Sequence, residues 1–267
     1  MKISIIANFG KVHSEESVNL VRDCAARLGI ETVEVPDADV IVAIGGDGTM
    51  LHTVTEHPNR PVLGLNIGGL GYLASVEKRD FRTALKLLSE NRFRVSARSM
   101  IGIVSSDVVK QPYLALNDIV FKSVSGHPSV MDMSINSGAV TRYLADGLIV
   151  STPTGSTAYS LSAGGPVVAP DSESILITPI SPHALGVRSL VVKDTCDIRL
   201  TNRRRRDGQE QDVAVYCDAR HVATLSGDES ITVRKADSFA ALVELEGYDP
   251  YEVLSRKLGW RGISLSD

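Results

Sequence analysis

The sequence predicts two domains, an α/β domain over residues 1–95 plus 247–267 and an all-β domain over residues 96–246. In the first third, short apolar runs alternate with helical patterns, which favours a parallel sheet covered by helices on both faces. After Arg92, short alternating runs recur with almost no helical spacing, which is typical of an antiparallel, sandwich-like domain. Helical spacing returns at Pro250–Trp260, and we expect this C-terminal helix to return to the first domain.

Strands and helices alternate along the first domain. Strands are predicted at Ile3–Ala7, Thr32–Val35, Val40–Ile44 and Val62–Asn66, and helices at Ser14–Leu28, Thr49–Glu56 and Asp80–Ser89. The first helix has Ser14 as its N-cap and Gly29 after its last residue. One face of the third helix is apolar and carries Phe81, Ala84, Leu85 and Leu88.

The second domain is predicted to consist of short strands. They are Ile101–Val104, Tyr113–Phe121, Val130–Ile135, Leu148–Ser151, Leu190–Val192, Ile198–Thr201, Val213–Tyr216, Ile231–Val233 and Ala240–Leu245. Only Ser156–Ala163 has helical character. The arginine run 203–206 lies between two of the strands, and such charge runs favour a solvated hairpin tip.

Composition excludes several classes of protein. The chain has 267 residues, 43% apolar and 22% charged, which is ordinary for a globular protein. Its net charge of −4 gives no electrostatic reason to expect nucleic acid or an anionic membrane as a partner. Three cysteines without paired spacing indicate a reducing compartment and argue against disulfides or a zinc site. With no apolar run near the roughly 20 residues of a membrane span and no signal-peptide pattern, we expect a cytoplasmic protein.

The first segment with chemical character is Gly45-Gly46-Asp47-Gly48-Thr49, between a predicted strand and a predicted helix. Glycine-rich turns at a helix start present backbone N–H groups to phosphate oxygens. A carboxylate here would stay ionised, and it would accept a proton from an attacking hydroxyl or hold Mg²⁺. The pattern also permits a helix cap with turn-forming glycines. The chain has neither a Walker A motif nor a Gly-x-Gly-x-x-Gly motif.

Two further segments carry polar side chains beside apolar runs. Asn117 and Asp118 are predicted inside a strand, where they would point to opposite faces and bracket a ribose diol, or else form an edge-strand bulge. Asp146 precedes an apolar strand, and the loop 151–156 after that strand is rich in hydroxyl groups. Tyr159 would stack on a flat ring there, although a capped turn explains the same pattern.

Together these segments resemble the NAD kinases. Gly45–Thr49, Asn117-Asp118 and Asp146–Val167 carry the resemblance, with 66–73 and 179–188 also in the family's order. The glycine motif is shared with diacylglycerol and sphingosine kinases, whereas the segment from Asp146 is specific. The resemblance implies transfer of the γ-phosphate of ATP, or of another phosphoryl donor, to the 2′-hydroxyl of the adenosine ribose of NAD. The product would be NADP, and Mg²⁺ or another divalent cation would accompany ATP.

The resemblance also implies roles for individual residues. Asp47 would be the general base, Asn117 would contact the adenine base and Asp118 the ribose hydroxyls. The residues implied to contact NAD are Asp47, Gly48, His52, Tyr72, Asn117, Asp118, Asp146, Thr157, Ala158, Tyr159, Ser162 and Ser181. Those implied at the phosphates are Gly45, Gly46, Gly48 and Thr49, and no residue is assigned as a metal ligand.

At the level of the whole molecule, the resemblance implies a Rossmann-like N-terminal domain and a homodimer or homotetramer with shared active sites. Asp146 would then reach the nicotinamide ribose from a neighbouring subunit. The chain departs from the family pattern at three places. Where it has Asp118 and His52, family members often have Glu and Arg. Where it has Asp218-Ala219-Arg220, they often have Asp-Gly-Gln. A lipid kinase with the same glycine motif and a catalytically silent dinucleotide sensor are the alternative functions.

Overall fold

The computed structural model describes residues 1–7, 14–66, 71, 73, 76–136, 138, 141–204 and 211–259. The chain forms two compact units. The first contains Met1–Ala97 and Ala240–Asp267, and the second contains Arg98–Phe239.

The described elements follow one another in three groups. The first group is β1 (Lys2–Ala7), α1 (Ser14–Arg27), β2 (Glu31–Thr32), β3 (Val40–Gly45), α2 (Asp47–Glu56), β4 (Pro61–Asn66), β5 (Val76–Glu77), α3 (Phe81–Ser89) and β6 (Phe93–Ser106). The second is β7 (Leu114–Ala115), β8 (Asp118–Ser123), β9 (Ser129–Ile135), β10 (Thr141–Ala145), β11 (Gly147–Ser151), α4 (Tyr159–Ser162), β12 (Ser174–Ile180), β13 (Leu190–Lys193), β14 (Ile198–Arg203), β15 (Val213–Cys217) and β16 (Arg220–Leu225). The last is β17 (Ser230–Leu245) and α5 (Pro250–Leu258).

A parallel sheet forms the centre of the first unit. Strands β4, β3, β1 and β2 are adjacent in that order, and the end of β17 pairs in parallel with β4 through Ala241 and Leu242. All six residues of β3 are buried, as expected of a β-branched run covered on both faces. Helix α3 buries Ala84, Leu85 and Leu88, so its predicted apolar face is confirmed.

Two local expectations for the first unit were wrong. The strand predicted at Thr32–Val35 ends at Thr32, and a 3-10 helix follows at Val35–Asp37 because Pro36 has no N–H to donate to a sheet. The helix predicted to begin at Thr49 begins at Asp47, after Gly46 in an extended conformation.

Two antiparallel sheets enclose the core of the second unit. One has the order β13-β12-β11-β8-β15-β16, and the other contains β10, β9, β14 and β17. The core between them joins Phe121, Leu148 and Val215 of the first sheet to Met131 and Leu200 of the second. The predicted sandwich is confirmed.

Several strand predictions in this unit need correction. The run Tyr113–Phe121 is broken after Ala115, and β8 begins at Asp118. The runs predicted at Ile231–Val233 and Ala240–Leu245 are one strand, β17. Strands β10, β12 and β16 were not predicted, and the predicted helix 156–163 consists of a 3-10 turn at Thr154–Thr157 followed by the single turn α4.

The arginine run is not a hairpin tip. Strands β14 and β15, which flank it, belong to different sheets. Arg203 is the last residue of β14, and its Nε donates to Asp132 Oδ2 at 2.8 Å while its Nη1 donates to Asp228 Oδ1 at 3.0 Å. Arg205 and Arg206 lie outside the described residues.

The C-terminal helix α5 belongs to the first unit, as predicted. Asp249 caps its N-terminus by accepting from the backbone nitrogens of Tyr251 and Glu252, and Gly259 ends it in the left-handed conformation with φ 66°. Among the described residues, no helix has both the length and the apolar character needed to cross a membrane.

Candidate functional site

In the first unit, the candidate site is the turn between β3 and α2. Strand β3 ends at Gly45 and α2 starts at Asp47, so the carboxylate lies in the first turn of a helix at the carboxyl end of a parallel strand. The N-cap is Gly46 and makes no side-chain capping bond. Asp47 is therefore not the helix cap, and that alternative explanation of the motif was wrong.

The carboxylate of Asp47 is held from the loop that follows β4. Its Oδ1 accepts a hydrogen bond from the backbone nitrogen of Leu73 at 2.9 Å. Gly71 lies against the same oxygen, since a Cβ at Gly71 would be 2.3 Å from Asp47 Oδ1 and 3.1 Å from Asn66 Nδ2. The lack of a side chain at Gly71 thus makes room for the carboxylate.

The glycines of the motif have different surroundings. Gly45 is buried under Thr49, and a Cβ at Gly45 would be 2.0 Å from Thr49 Oγ1. Gly46 is half-buried, and Gly48 is exposed with open space where a Cβ would stand. His52 lies one helical turn after Gly48 and is also exposed, so the two share a face of α2. Tyr72 lies outside the described residues.

In the second unit, Asn117 and Asp118 lie at the break between β7 and β8. Asp118 starts β8, which pairs with β11 on one side and with β15 on the other. The explanation as an edge-strand bulge was therefore wrong, because β8 is a central strand. The sequence predicted that both residues lie inside one strand, and this was wrong, because Asn117 lies between β7 and β8. Asp118 is buried, with 5% of its surface exposed, and Asn117 is half-buried.

The segment before Asp118 is fastened to the loop that follows β11. Thr152 Oγ1 donates to the carbonyl of Leu116 at 2.5 Å and accepts from the nitrogen of Gly155 at 3.0 Å. The nitrogen of Thr152 donates to the carbonyl of Asn117 at 2.9 Å. Gly155 packs so closely that a Cβ would be 2.0 Å from that carbonyl oxygen. The hydroxyl-rich loop therefore supports the Asn117–Asp118 backbone.

Asp218 also contacts this backbone. Its carboxylate accepts from the nitrogens of Leu116 at 2.7 Å, Asn117 at 2.8 Å and Asp118 at 3.2 Å. The guanidinium of Arg220 lies over the ring of Tyr113, 5.0 Å from its centroid. Sequence reasoning assigned no role to Asp218 or to Thr152.

Burial sets the protonation of this cluster. It raises the pKa of the Asp118 carboxyl to about 7, and the negative charge of Asp218 acts in the same direction. Burial also raises the pKa of Asp218, against the lowering effect of its three backbone hydrogen bonds and of Arg220. The pKa of the Cys217 thiol rises to about 12, chiefly through burial, so this thiol is neutral at pH 7.

The four residues assigned to the adenine pocket follow the same loop. Thr157 and Ala158 are half-buried, whereas Tyr159 and Ser162 are exposed and three residues apart on α4. Tyr159 has 38% of its surface exposed, which leaves its ring accessible for stacking. Ser160, between them, is buried and hydrogen-bonds Thr178 at 2.8 Å, which anchors the turn.

Asp146 and Ser181 lie at the other end of β11. The nitrogen of Asp146 donates to the carbonyl of Ile180 at 3.0 Å, and Ser181 follows directly with φ 45°. Asp118 pairs with Ser151 at the opposite end of the strand. At about 3.3 Å per residue, the length of β11 separates Asp146 from Asp118 by roughly 16 Å.

Comparison with known proteins identifies the family. The ATP-NAD kinase N-terminal domain matches residues 2–93, and the ATP-NAD kinase C-terminal domain matches residues 117–245. The NAD kinase of Christiangramia forsetii is 40% identical over 228 residues, which cover 83% of this chain and 76% of that protein. The chain belongs to the NAD kinase family.

Solved structures agree with this membership. An NAD kinase from Archaeoglobus fulgidus, solved in complex with ATP, has a TM-score of 0.81 and 26% identity, and covers 98% of this chain and 100% of its own. Yeast NADH kinase, solved with NADH, has a TM-score of 0.87 over 100% of this chain and 90% of its own. At 23% identity, the yeast structure shows the shared fold.

A divalent cation accompanies ATP in most phosphoryl transfers, and such a cation needs oxygen donors at the site. In the part of the chain that the structure describes, no three His, Cys, Asp or Glu side chains lie together as a metal site. Mg²⁺ needs fewer protein ligands, since it keeps waters and binds one or two carboxylates plus substrate phosphates. Asp47, whose carboxylate borders Gly71, offers a donor of this kind. This arrangement fits a cation that arrives bound to the phosphates of a nucleotide.

Proposed function

We propose that this chain is a kinase that transfers the γ-phosphate of ATP to the 2′-hydroxyl of the adenosine ribose of NAD, giving NADP. Membership of the NAD kinase family, with both of its domains matched, carries this proposal. The oriented carboxylate of Asp47 supports it, because phosphoryl transfer to an alcohol needs an acceptor for the hydroxyl proton.

Asp47 acts as the general base on the 2′-hydroxyl. The hydrogen bond from Leu73 to Oδ1 limits rotation of the carboxylate, which keeps it in one orientation before substrate arrives. Gly48 and His52, on the exposed face of α2, contact NAD beside Asp47. Tyr72, which lies outside the described residues, is proposed as an aromatic wall of the adenine pocket.

Recognition of the adenosine end is assigned to the second unit. Asn117 hydrogen-bonds the adenine base and Asp118 accepts from ribose hydroxyls. Tyr159 stacks on the adenine ring, while Thr157, Ala158 and Ser162 line the pocket around it. The support for these roles is that the four loop residues and the Asn117–Asp118 segment belong to one hydrogen-bonded substructure, joined through Thr152.

The phosphates lie at the turn before α2, against backbone N–H groups that follow Gly46. Gly46 and Gly48 allow close approach, whereas Gly45 and Thr49 pack beneath the turn and fix its shape. Asp47 would hold Mg²⁺ that arrives with the nucleotide, and the cation would neutralise phosphate charge. Positioning and charge neutralisation then provide most of the rate enhancement.

The protein is further proposed to act in the cytoplasm as a homodimer or homotetramer. In this assembly Asp146, a strand length from Asp118, contacts the nicotinamide ribose of NAD from a neighbouring subunit. Ser181, next to the residue that bonds Asp146, contributes to the same contact.

A donor-by-acceptor assay tests the proposed function. Purified protein is incubated with Mg²⁺ and NAD or NADH, with ATP, another nucleoside triphosphate or polyphosphate as donor, and NADP or NADPH is measured by a coupled dehydrogenase. We expect ATP and NAD to give NADP. Phosphorylation of diacylglycerol or a sphingoid base instead of NAD would favour a lipid kinase. Tight NAD binding without turnover on any donor would favour a dinucleotide sensor.

A further inference from the structure

Three consecutive backbone N–H groups, those of Leu116, Asn117 and Asp118, point at the carboxylate of Asp218. The distances are 2.7, 2.8 and 3.2 Å. In return, the nitrogen of Asp218 donates to the carbonyl of Asp118 at 3.0 Å. One side chain thus binds the whole segment between β7 and β8, although about 100 residues separate it from Asp118.

The turn that carries Asp218 has a defined backbone conformation. Asp218 and Ala219 have φ angles of 46° and 67°, so they form the two-residue connection of the hairpin β15–β16 with both central residues left-handed. Cys217, just before the turn, pairs with Ile119 of β8. The carboxylate therefore approaches the 116–118 backbone from a strand that is already fastened to β8.

These hydrogen bonds take the place of the strand-to-strand bonds that the segment between β7 and β8 lacks. Between Ala115 and Asp118 the chain leaves one strand and begins another, so its N–H groups would otherwise need water or another partner. A carboxylate makes stronger bonds to N–H groups than a neutral acceptor does. Asp218 therefore defines the backbone direction from which the side chains of Asn117 and Asp118 project.

The charge of Asp218 also acts on Asp118. On the hairpin side, Asp218 and Cys217 interact electrostatically with Asp118, and Arg220 acts on Asp218 and Cys217. On the β11 side, Asp118 pairs with Ser151, which has no charge. Asp218 raises the pKa of Asp118, and burial is the larger cause.

We propose that Asp218 is a positioning residue for NAD recognition, which orients Asn117 and Asp118 through the hydrogen bonds it accepts from their backbone and places a carboxylate beside Asp118. This inference rests on the proposed function of that segment as the adenosine site. It assigns to Asp218 no contact with substrate.

Asp218→Asn is the informative substitution. It keeps one acceptor oxygen, removes the charge and places an NH₂ group against a backbone N–H. Because the substitution weakens the bonds to residues 116–118, we make it in an Ala219→Gly background, where glycine adopts the left-handed conformation without strain and favours the turn. The parent for comparison is Ala219→Gly alone. Asp212→Asn, the same chemical change at an exposed residue before β15, controls for loss of charge.

We expect kcat/KM for NAD to fall about 10- to 100-fold in Asp218→Asn, mainly through KM, because small displacements of binding groups are costly. In the parent, kcat/KM should rise with pH through about 7 as Asp118 ionises. In Asp218→Asn this rise should move to lower pH, and in Asp118→Asn it should be absent. Asp212→Asn should match the parent.

Two outcomes would overturn the inference. One is a kcat/KM within about 2-fold of the parent. The other is reduced activity with an unmoved pH profile, which a purely structural role would produce. If the parent makes no NADP, the proposed function fails. The inference is then judged by NAD affinity in calorimetry, where Asp218→Asn must still weaken binding and shift its pH dependence.

Discussion

Asp47 Oδ1 accepts a hydrogen bond from the backbone nitrogen of Leu73 at 2.9 Å, so the loop after β4 orients the carboxylate at the start of α2. The two residues are 26 positions apart; Asp47 follows β3, Leu73 comes seven residues after the end of β4, and the two strands are paired in parallel. Carboxyl ends of neighbouring parallel strands thus bring the two loops together, as in other α/β ligand sites.

Gly71→Ala should disturb this arrangement without unfolding the protein. The new Cβ would lie 2.3 Å from Asp47 Oδ1, and the end of a flexible side chain can move away at little cost. We expect kcat to fall about 10-fold or more, with the melting temperature nearly unchanged, since misplaced catalytic groups lose rate steeply. Steady-state kinetics and calorimetry measure both. Gly186→Ala, where the Cβ has open space, should behave as wild type. Equal kcat in both variants would argue that the position of the carboxylate does not matter.

Gly155→Ala should differ from Gly71→Ala, because its clash is with backbone. The Cβ would lie 2.0 Å from the carbonyl oxygen of Asn117, which cannot rotate away. We expect a loss of about 1–3 kcal/mol in the free energy of unfolding and a raised KM for NAD. Denaturant titration and kinetics provide the two measurements. A stable variant with normal KM would show that the loop can retreat from Asn117 without affecting the substrate.

Asp118→Asn should change how stability depends on pH. The folded protein raises the pKa of this carboxyl from 3.8 to about 7, so the folded state binds the proton more tightly than the unfolded chain does. Its contribution to stability is therefore largest below pH 4 and falls as pH rises to 7. Relative to wild type, Asp118→Asn should gain on the order of a few kcal/mol between pH 4 and pH 7. Urea titrations across that range test this, and a constant difference would contradict it.

Asp132→Asn should show the opposite pH dependence. Asp132 is buried, and it accepts from Arg142 at 2.7 and 2.8 Å and from Arg203 at 2.8 Å. The bond from Arg142 is the leading cause that lowers the pKa of Asp132, so its stabilisation is complete above pH 3.8 and is lost as pH falls further. We expect Asp132→Asn to cost about 1–3 kcal/mol at pH 7 and less in acid. The ion pair between Asp228 and Arg203 is exposed, so the free energy of unfolding of Asp228→Asn should stay within about 0.5 kcal/mol of wild type.

The elements that could be predicted from the sequence are those whose burial shows in the local pattern of apolar residues. Strand β3 is a continuous apolar run because both of its faces are covered, and α3 shows its buried face as a helical repeat. Strands β10 and β16 are edges of their sheets with several polar or exposed residues, so no local pattern marks them. They form strands through pairing with the strands that precede them in sequence, β9 and β15.

The same limit applies to the site. The motifs at Gly45–Thr49 and Asn117-Asp118 were recognisable because their residues are adjacent in sequence. The role of Asp218 depends on a contact across about 100 residues, and in sequence Asp218-Ala219 indicates only a turn.

The most direct test of the account is the rate of NADP formation by Asp47→Asn, with NAD, ATP and Mg²⁺ at saturation. Asparagine keeps the size of the side chain and an acceptor for Leu73, but it cannot take the proton. We expect kcat to fall about 10²- to 10⁴-fold, with a similar KM for NAD and a similar melting temperature. Asp23→Asn, an exposed residue of α1, should keep wild-type kcat. A kcat for Asp47→Asn within a few-fold of wild type would contradict the assignment of the base.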